Sequence, residues 1–226
     1  MSLLLYYITD RRLFPGNSPE QERQLLAKIA ECAAAGVDLV QLREKDLSTR
    51  GLEDLAHKAM AVLGGSRTRL LINSRTDIAL ACGVHGVHLP ANDLPASEVR
   101  ALMARVMADV GLPDVSLQSA GLPVIGVSTH SVAEVATAEA HGADFAVFGP
   151  VFEKNGAASH AGLEQLRQAC HRTETAQPPI PVLALGGVTL QNARQCVEAG
   201  AAGIAGIRLF QQNDVHAIVK KLRESA

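Results

Sequence analysis

The sequence predicts a (β/α)8 barrel, in which a closed sheet of eight parallel strands is surrounded by helices. Short β-branched or Leu-rich runs alternate with longer segments of helical periodicity, a pattern typical of repeated βαβ units. The chain has 226 residues, near the lower end of the usual size of such barrels, roughly 200 to 400 residues. An open, doubly wound sheet is the alternative. The predicted strands are Leu3–Ile8, Val37–Leu42, Arg69–Ile72, Gly86–Leu89, Pro123–Val127, Phe145–Phe148, Pro181–Leu185 and Gly203–Ile207.

The predicted elements follow one another through a recurrent junction. The first strand is apolar and lacks a preceding basic segment, so it is interpreted as a strand and not as a signal peptide. Apolar residues on one face predict a helix over Gln21–Ala35, and a Ser-x-x-Glu capping box starts a helix over Ser131–Ala140. At four junctions a helix ends at a glycine and a strand begins within about three residues. These glycines are Gly36, Gly83, Gly142 and Gly200.

Composition and charge exclude several classes of protein. Hydrophobic residues make up 47% of the chain and aromatic residues only 3%, so the core must be built from small aliphatic side chains. The net charge of −2 gives no basic surface for nucleic acid, and no apolar run approaches the ~20 residues of a membrane span. The four cysteines are far apart in Ala-rich segments and are expected to be buried thiols in a reducing compartment. We therefore expect a cytoplasmic protein whose residues 1–226 form one domain.

Polar and glycine residues concentrate where the predicted strands end. In barrels of this type, chemistry collects at the carboxyl ends of the strands. The residues at those positions are Thr9 and Asp10; Gln41, Arg43 and Lys45; Asn73; His88 with Asp93 beyond it; Ser128 and His130; Gly149; Gly186 and Gly187; and Arg208.

The second strand ends in a cationic segment. Gln41, Arg43 and Lys45 alternate in the sequence, so an extended chain would project all three to the same side. Two cations and an amide at a barrel mouth suit a phosphate or pyrophosphate. The alternative is a solvated strand end in which Arg43 pairs with Glu44 or Asp46.

Glycines mark the ends of the seventh and eighth strands. Barrels often bind phosphate between these two loops through backbone N–H groups. Gly186, Gly187 and Gly206 would permit a close approach of the backbone, and Arg208 adds a cation. The alternative is that these glycines only make tight turns.

Three titratable residues near strands four and five are candidates for chemistry. His130 could shuttle a proton, or it could be a hydrogen-bonded residue at a helix start. His88 alternates inward and is expected to fill a layer of the barrel or to contact substrate. Asp93 could hold Mg²⁺ against a pyrophosphate, or it could cap the helix beginning near Leu94 and Pro95.

Seven motifs in register resemble the thiamin phosphate synthase/TenI family of barrels. They extend over roughly residues 5 to 210, and together they imply a (β/α)8 fold with thiamin-biosynthetic ligands. The motifs are Tyr7-Ile8-Thr9-Asp10, Val40-Gln41-Leu42-Arg43-Glu44-Lys45, Leu71-Ile72-Asn73-Ser74-Arg75-Thr76-Asp77, Gly86-Val87-His88-Leu89, Gly126-Val127-Ser128-Thr129-His130-Ser131, Phe148-Gly149-Pro150-Val151-Phe152 and Ala184-Leu185-Gly186-Gly187-Val188.

Three departures from the synthase pattern favour the TenI branch. The synthase usually has Asn-Asp, the Asp helping to hold Mg²⁺, where this chain has Asn73-Ser74. It usually has Thr-x-Thr-Lys where this chain has Glu153–His160, and His-Leu-Gly-Gln where this chain has His-Leu-Pro. Both branches usually have Ser at the position of Arg208. Members of the TenI branch resemble thiazole tautomerases, which need a positioned acid or base and neither Mg²⁺ nor pyrophosphate.

The leading hypothesis is therefore a TenI-like tautomerase acting on a thiazole phosphate that carries a carboxylate, with no cofactor, His130 as the proton shuttle, and Arg43 or Lys45 holding the carboxylate. The first alternative is a Mg²⁺-dependent thiamin phosphate synthase that uses Asp93 and releases pyrophosphate. It remains open because Gln41, Arg43 and Lys45 are retained. The second alternative is a non-catalytic protein that binds a thiamin ligand. In each case the expected partner is a small phosphorylated heterocycle, with neither nucleic acid nor membrane, and a homo-oligomer is compatible with the sequence. The remaining residues assigned to substrate are Asn73, Ser128, Gly149, Gly186, Gly187, Gly206 and Arg208.

Overall fold

The computed structural model is a closed barrel of eight parallel strands in the order β1 to β8, which confirms the predicted architecture. It describes residues 3–109, 123–152, 161–171 and 179–224. Every strand pairs with its two neighbours, and β1 pairs with β8 to close the sheet. The strands are β1 (Leu4–Ile8), β2 (Leu39–Leu42), β3 (Arg69–Asn73), β4 (Gly86–Leu89), β5 (Val124–Thr129), β6 (Phe145–Phe148), β7 (Val182–Ala184) and β8 (Gly203–Gly206).

Helices follow the strands and pack on the outside of the sheet. The first is preceded by a short 3-10 turn at Arg11–Leu13. The helices are α1 (Ser18–Ala35), α2 (Thr49–Leu63), α3 (Thr76–Ala81), α4 (Ala96–Asp109), α5 (Val132–Ala140), α6 (Gly162–Cys170), α7 (Ala193–Glu198), α8 (Arg208–Gln211) and α9 (Val215–Glu224). No helix within the described residues is long and apolar enough to cross a membrane.

Several element boundaries differ from the sequence prediction for local reasons. Helix α1 begins three residues earlier than expected, because Asn17 and Glu20 form a reciprocal capping box. Strand β2 begins two residues later, because the Val37 N–H donates to the Cys32 carbonyl and closes the end of the helix. Strand β5 runs two residues further, to Thr129, because its last residues pair with β6.

The four predicted junction glycines all adopt left-handed backbone. Their φ angles are +83°, +61°, +73° and +100° for Gly36, Gly83, Gly142 and Gly200. The recurrent junction in the sequence therefore corresponds to a recurrent helix end in the structure.

The core has two layers, one inside the barrel and one between strands and helices. The interior layer is made of Tyr6, Ile8, Leu39, Leu71, Phe145, Val147, Leu183 and Ala205. Of the four cysteines, Cys32 and Cys196 are buried, whereas Cys82 and Cys170 are half-exposed. The expectation of four buried thiols is therefore correct for only two of them.

Candidate active site

The carboxyl ends of the eight strands meet at one mouth of the barrel, because all eight run parallel. Gln41, His88 and Ser128 occupy inward positions of their strands, in register with the apolar interior layer. Gln41 is 1% exposed, and its Nε2 atom has no hydrogen-bond partner within the described part of the chain. A buried amide donor without an acceptor is rare in folded proteins, so this atom marks a position where a ligand acceptor would be stabilised.

The predicted cations lie beyond the end of β2. Arg43 is half-buried just past the strand, whereas Lys45 is exposed in a turn. The extended chain on which the prediction for Lys45 depends ends before that residue, so its placement on the same side as Gln41 stays a prediction. Among the described residues, no carboxylate forms a salt bridge with either cation.

Both carboxylates near Arg43 belong to a different cation, Arg11. Its guanidinium bonds Glu44 at 3.2 Å and Asp46 at 2.7 Å, and the Glu44 side chain is 1% exposed. The alternative in which Arg43 pairs with Glu44 or Asp46 is therefore wrong. The hydrogen bond from Arg11 lowers the pKa of Asp46 below its usual value.

Thr9 connects this ion pair to the segment that carries Arg43. Its hydroxyl donates to Glu44 Oε1 at 2.6 Å and accepts from the Arg43 N–H at 3.0 Å. We call Thr9, Arg11, Glu44 and Asp46 the β1–β2 rim. Sequence reasoning missed the rim, because nothing in the spacing of these residues shows that Arg11 reaches both carboxylates.

Ser74 and Asp93 meet at the ends of β3 and β4. The Ser74 hydroxyl donates to Asp93 Oδ2 at 2.7 Å, and Ser74 has a left-handed backbone with φ of +63°. Asp93 also accepts from the Leu94 N–H at 2.9 Å, but helix α4 begins only at Ala96, so Asp93 does not act as the predicted helix cap. Asn73, at the end of β3, is half-buried. The described residues contain no group of three or more His, Cys, Asp or Glu side chains suited to a metal ion.

His88 is buried inside the barrel and bonded on both ring nitrogens. Nδ1 lies 3.2 Å from the Tyr6 hydroxyl, and Nε2 lies 2.8 Å from Ser128 Oγ. Burial, together with the positive charge of Arg43, lowers the pKa of His88 to about 3. The ring is therefore neutral near pH 7. It fills part of the interior layer of the barrel, and it also bonds Ser128, one of the residues predicted to contact substrate.

His130 follows β5 and is held from two directions. Its Nδ1 lies 2.6 Å from the Gly149 carbonyl, and its backbone N–H donates to Glu134 Oε2 at 2.7 Å. Since a carbonyl can only accept, Nδ1 must carry the hydrogen, which leaves Nε2 of the neutral ring as a base. The Ser-x-x-Glu sequence therefore positions the backbone of His130 in addition to capping α5, whose first N–H groups are capped by Ser131.

The ends of β7 and β8 present backbone rather than side chains. Gly186 and Gly187 have φ of +93° and +64°, and no described acceptor bonds their N–H groups. A Cβ on Gly186 would lie 2.6 Å from Pro150 Cα, so a larger residue does not fit. Gly206 is buried at the end of β8, and the exposed Arg208 is the first residue of α8. We call Gly186, Gly187, Gly206 and Arg208 the β7–β8 rim.

The fold and the mouth define a class of protein, the (β/α)8 barrels that gather polar side chains and open backbone N–H groups at their strand ends. Comparison with known proteins narrows this class. A family model described as thiamine monophosphate synthase matches residues 5–112 and 108–210. The chain belongs to this family, the thiamin phosphate synthase/TenI family that its motifs resemble.

Relatives extend over nearly the whole chain. A putative thiamine-phosphate synthase 2 of Aquifex aeolicus is 36% identical over 91% of this chain and 96% of the relative. A putative thiamine-phosphate synthase of Geobacter sulfurreducens is 40% identical over 89% of this chain and 83% of the relative. The structure of a thiamine phosphate pyrophosphorylase from Pyrococcus furiosus superposes with a TM-score of 0.74 at 29% identity, over 99% of this chain and 95% of that one.

These matches support an enzyme of thiamin biosynthesis without separating the two branches of the family. The segment Glu153–His160, on which one of the three departures rests, lies outside the described residues.

Proposed function

We propose that the chain is a thiamin phosphate synthase, which joins hydroxymethylpyrimidine pyrophosphate to thiazole phosphate and releases pyrophosphate. The synthase was the first alternative from the sequence, and it now takes precedence over the tautomerase. The names of the relatives support it: two are putative thiamine-phosphate synthases, and the solved structure is of a thiamine phosphate pyrophosphorylase. The observation that carries it is the presence of two separate sets of groups suited to anions at one mouth. A tautomerase substrate would also need a cation in the first set, for its carboxylate, but two cations and an amide are more than a carboxylate requires, and they suit a pyrophosphate.

The first set would bind the pyrophosphate of the pyrimidine substrate. Arg43 and Lys45 have no carboxylate partner among the described residues, and the buried Gln41 Nε2 lacks an acceptor. In the reaction, the bond between the pyrimidine methylene carbon and the pyrophosphate oxygen breaks, and the thiazole nitrogen bonds to that carbon. The cations would stabilise the negative charge that develops on the departing pyrophosphate.

The second set would bind the thiazole phosphate. The N–H groups of Gly186 and Gly187 are free of described acceptors, and the positive φ at both residues is backbone that glycine adopts readily, which permits a close approach of the backbone to an anion. Gly206 allows close approach at the neighbouring strand, and Arg208 adds a positive charge. Anchored by its phosphate, the thiazole ring would face Ser128 and His130 of β5 across the mouth, with Asn73 and Gly149 as further contacts.

Ser74 and Asp93 fit a magnesium ion that substrate helps to hold. One carboxylate and one hydroxyl oxygen are hard ligands, and Mg²⁺ is commonly bound by one or two carboxylates together with substrate phosphates. Bound there, Mg²⁺ would supply charge neutralisation for the leaving pyrophosphate.

An assay with both substrates tests the synthase. We expect release of pyrophosphate and formation of thiamin phosphate in the presence of Mg²⁺, and little of either after chelation. Ser74→Asp should lower the Mg²⁺ concentration needed for half-maximal rate, because it adds a second carboxylate. The absence of product with both substrates and Mg²⁺ would overturn the proposal.

A thiazole tautomerase is the second candidate, and the geometry of His130 favours it. The bond from Nδ1 to the Gly149 carbonyl leaves Nε2 as a base at the mouth, which a proton-transfer reaction requires. Given the thiazole tautomer alone, a tautomerase would aromatise it, and His130→Gln would abolish that activity. If the protein binds thiazole phosphate but converts neither the thiazole tautomer nor the two synthase substrates, it is the non-catalytic binding protein.

A further inference from the structure

Three polar side chains form a chain of hydrogen bonds through the interior of the barrel. Tyr6 on β1, His88 on β4 and Ser128 on β5 are linked through both ring nitrogens of the histidine. We propose that Tyr6 and His88 form a relay that holds the Ser128 hydroxyl as a hydrogen-bond donor towards a phosphoryl oxygen of the ligand. The location of the ligand at this mouth rests on the proposed function, whereas the direction of the relay does not.

The direction of the relay follows from the burial of Tyr6 at its inner end. Tyr6 is fully buried, and among the described residues its hydroxyl contacts only His88 Nδ1. If Nδ1 carried the hydrogen, the tyrosine hydroxyl would accept, and its own hydrogen would be buried without an acceptor. Such an arrangement is strongly disfavoured. Tyr6 therefore donates to Nδ1, and Nε2 carries the hydrogen and donates to Ser128 Oγ.

Tyr6 and His88 both retain the protonation that this direction requires. Burial raises the pKa of Tyr6 well above its usual value, so its hydroxyl keeps the hydrogen. The depressed pKa of His88 keeps the ring neutral, with one N–H only. The positive charge near the ring comes from Arg43, so the mouth beside the relay suits an anionic oxygen.

The packing around the relay holds it in place. Phe145 lies edge-on to Tyr6 with ring centres 5.5 Å apart, and it also contacts the His88 ring at 6.1 Å. A Cβ on Gly126 would clash with the Phe145 ring, so glycine at this position makes room for the aromatic layer. The histidine is therefore confined between neighbours in addition to being bonded at both nitrogens.

The relay gives Ser128 and His130 opposite roles. Since Ser128 Oγ accepts from His88, its remaining hydrogen is available for a ligand acceptor at the half-buried mouth. His130 has the other tautomer, with the hydrogen on Nδ1 and an accepting Nε2. Strand β5 would thus present one donor and one acceptor, two residues apart, to the ligand.

The first test is the tautomer of His88 in the free protein. Nitrogen-15 NMR of the imidazole rings distinguishes a protonated Nε2 from a protonated Nδ1, and the His88 signals are identified by their loss in His88→Gln. We expect Nε2–H at His88 and Nδ1–H at His130. A hydrogen on Nδ1 of His88 would overturn the relay, whether or not the protein proves to be a synthase.

The second test links the relay to binding through a double-mutant cycle, with inorganic pyrophosphate as the titrated probe. Ser128→Ala should weaken binding about tenfold, the effect of losing one hydrogen bond to a charged group. Tyr6→Phe should weaken it by a smaller factor, and it should have no further effect when Ser128 is already alanine. An equal effect of Tyr6→Phe in both backgrounds, or no effect in either, would overturn the proposal.

Tyr7→Phe is the matched control. Tyr7 is also fully buried, lies on the same strand and donates its hydroxyl to Gln211 Oε1 at 2.9 Å. Its loss should affect the free energy of unfolding as Tyr6→Phe does, while the His88 tautomer and pyrophosphate binding stay unchanged. If Tyr7→Phe weakens binding as much as Tyr6→Phe, the effect is structural and the relay is overturned.

Discussion

The β1–β2 rim and the β7–β8 rim lie at the same mouth of the barrel and differ in how their polar groups are satisfied. In the first, Glu44 accepts from the Thr9 hydroxyl, the Arg11 N–H and the Arg11 guanidinium. In the second, the N–H groups of Gly186 and Gly187 have no described acceptor. Polar groups that satisfy one another fix the position of the chain, and polar groups left open at a mouth are available to a ligand. The first rim therefore holds the backbone of Arg43 in place, and the second is the rim proposed to bind the phosphate.

The largest effect is expected from Glu44→Gln, which tests whether the β1–β2 rim is structural. The amide would place N–H donors against the donors of Thr9 and Arg11, and it would remove a buried negative charge. We expect a loss of about 3 kcal/mol in the free energy of unfolding, measured with urea.

Glu164→Gln is the control for this substitution. Glu164 pairs with Arg167 on the exposed face of α6, so its loss should change stability by less than about 0.5 kcal/mol. Equal effects of the two substitutions would show that the buried rim contributes no more than a surface pair.

Gly186→Ala tests the β7–β8 rim and should have an intermediate effect. Alanine would be strained at the left-handed φ of +93°, and its Cβ would lie 2.6 Å from Pro150 Cα. We expect about 2 to 3 kcal/mol of destabilisation from strain and overpacking together, and weaker binding of inorganic phosphate measured by calorimetry.

Gly65→Ala separates strain from close approach. Gly65 has a similar φ of +79°, but no atom lies within 4 Å of its Cβ position. It should cost about 1 kcal/mol and leave phosphate binding unchanged. If Gly186→Ala also leaves binding unchanged, the β7–β8 rim does not hold the phosphate.

The smallest effect is expected from Arg208→Ser, which installs the residue usual in the family. Arg208 is exposed, so the loss of its charge should weaken phosphate binding by about two- to fivefold at low salt and by less at high salt. Arg105→Ser, on the exposed surface of α4, should have no effect on binding. Tighter binding in Arg208→Ser would mean that the arginine obstructs the rim instead of assisting it.

Local patterns were sufficient to predict the strands and the positions of most candidate residues. The alternation of apolar residues placed His88 inside the barrel, and the junction glycines showed where helices end. The alternation does not reach Lys45, because it applies only while the chain stays extended. The prediction was incomplete at Ser74. The sequence shows that serine stands where the synthase usually has aspartate, but it does not show that the serine hydroxyl donates to Asp93.

The sequence by itself determined the eight-stranded barrel and the family, since both depend on periodicity and on motifs that are local in the chain. Only the tertiary structure decided which polar groups find a hydrogen-bond partner within the protein. Arg11 meets Glu44 across 33 residues, and Tyr6 meets His88 across 82. Hydrogen bonds between such distant residues depend on the closure of the barrel, and that closure separates the rim that fixes the chain from the rim that remains open to a ligand.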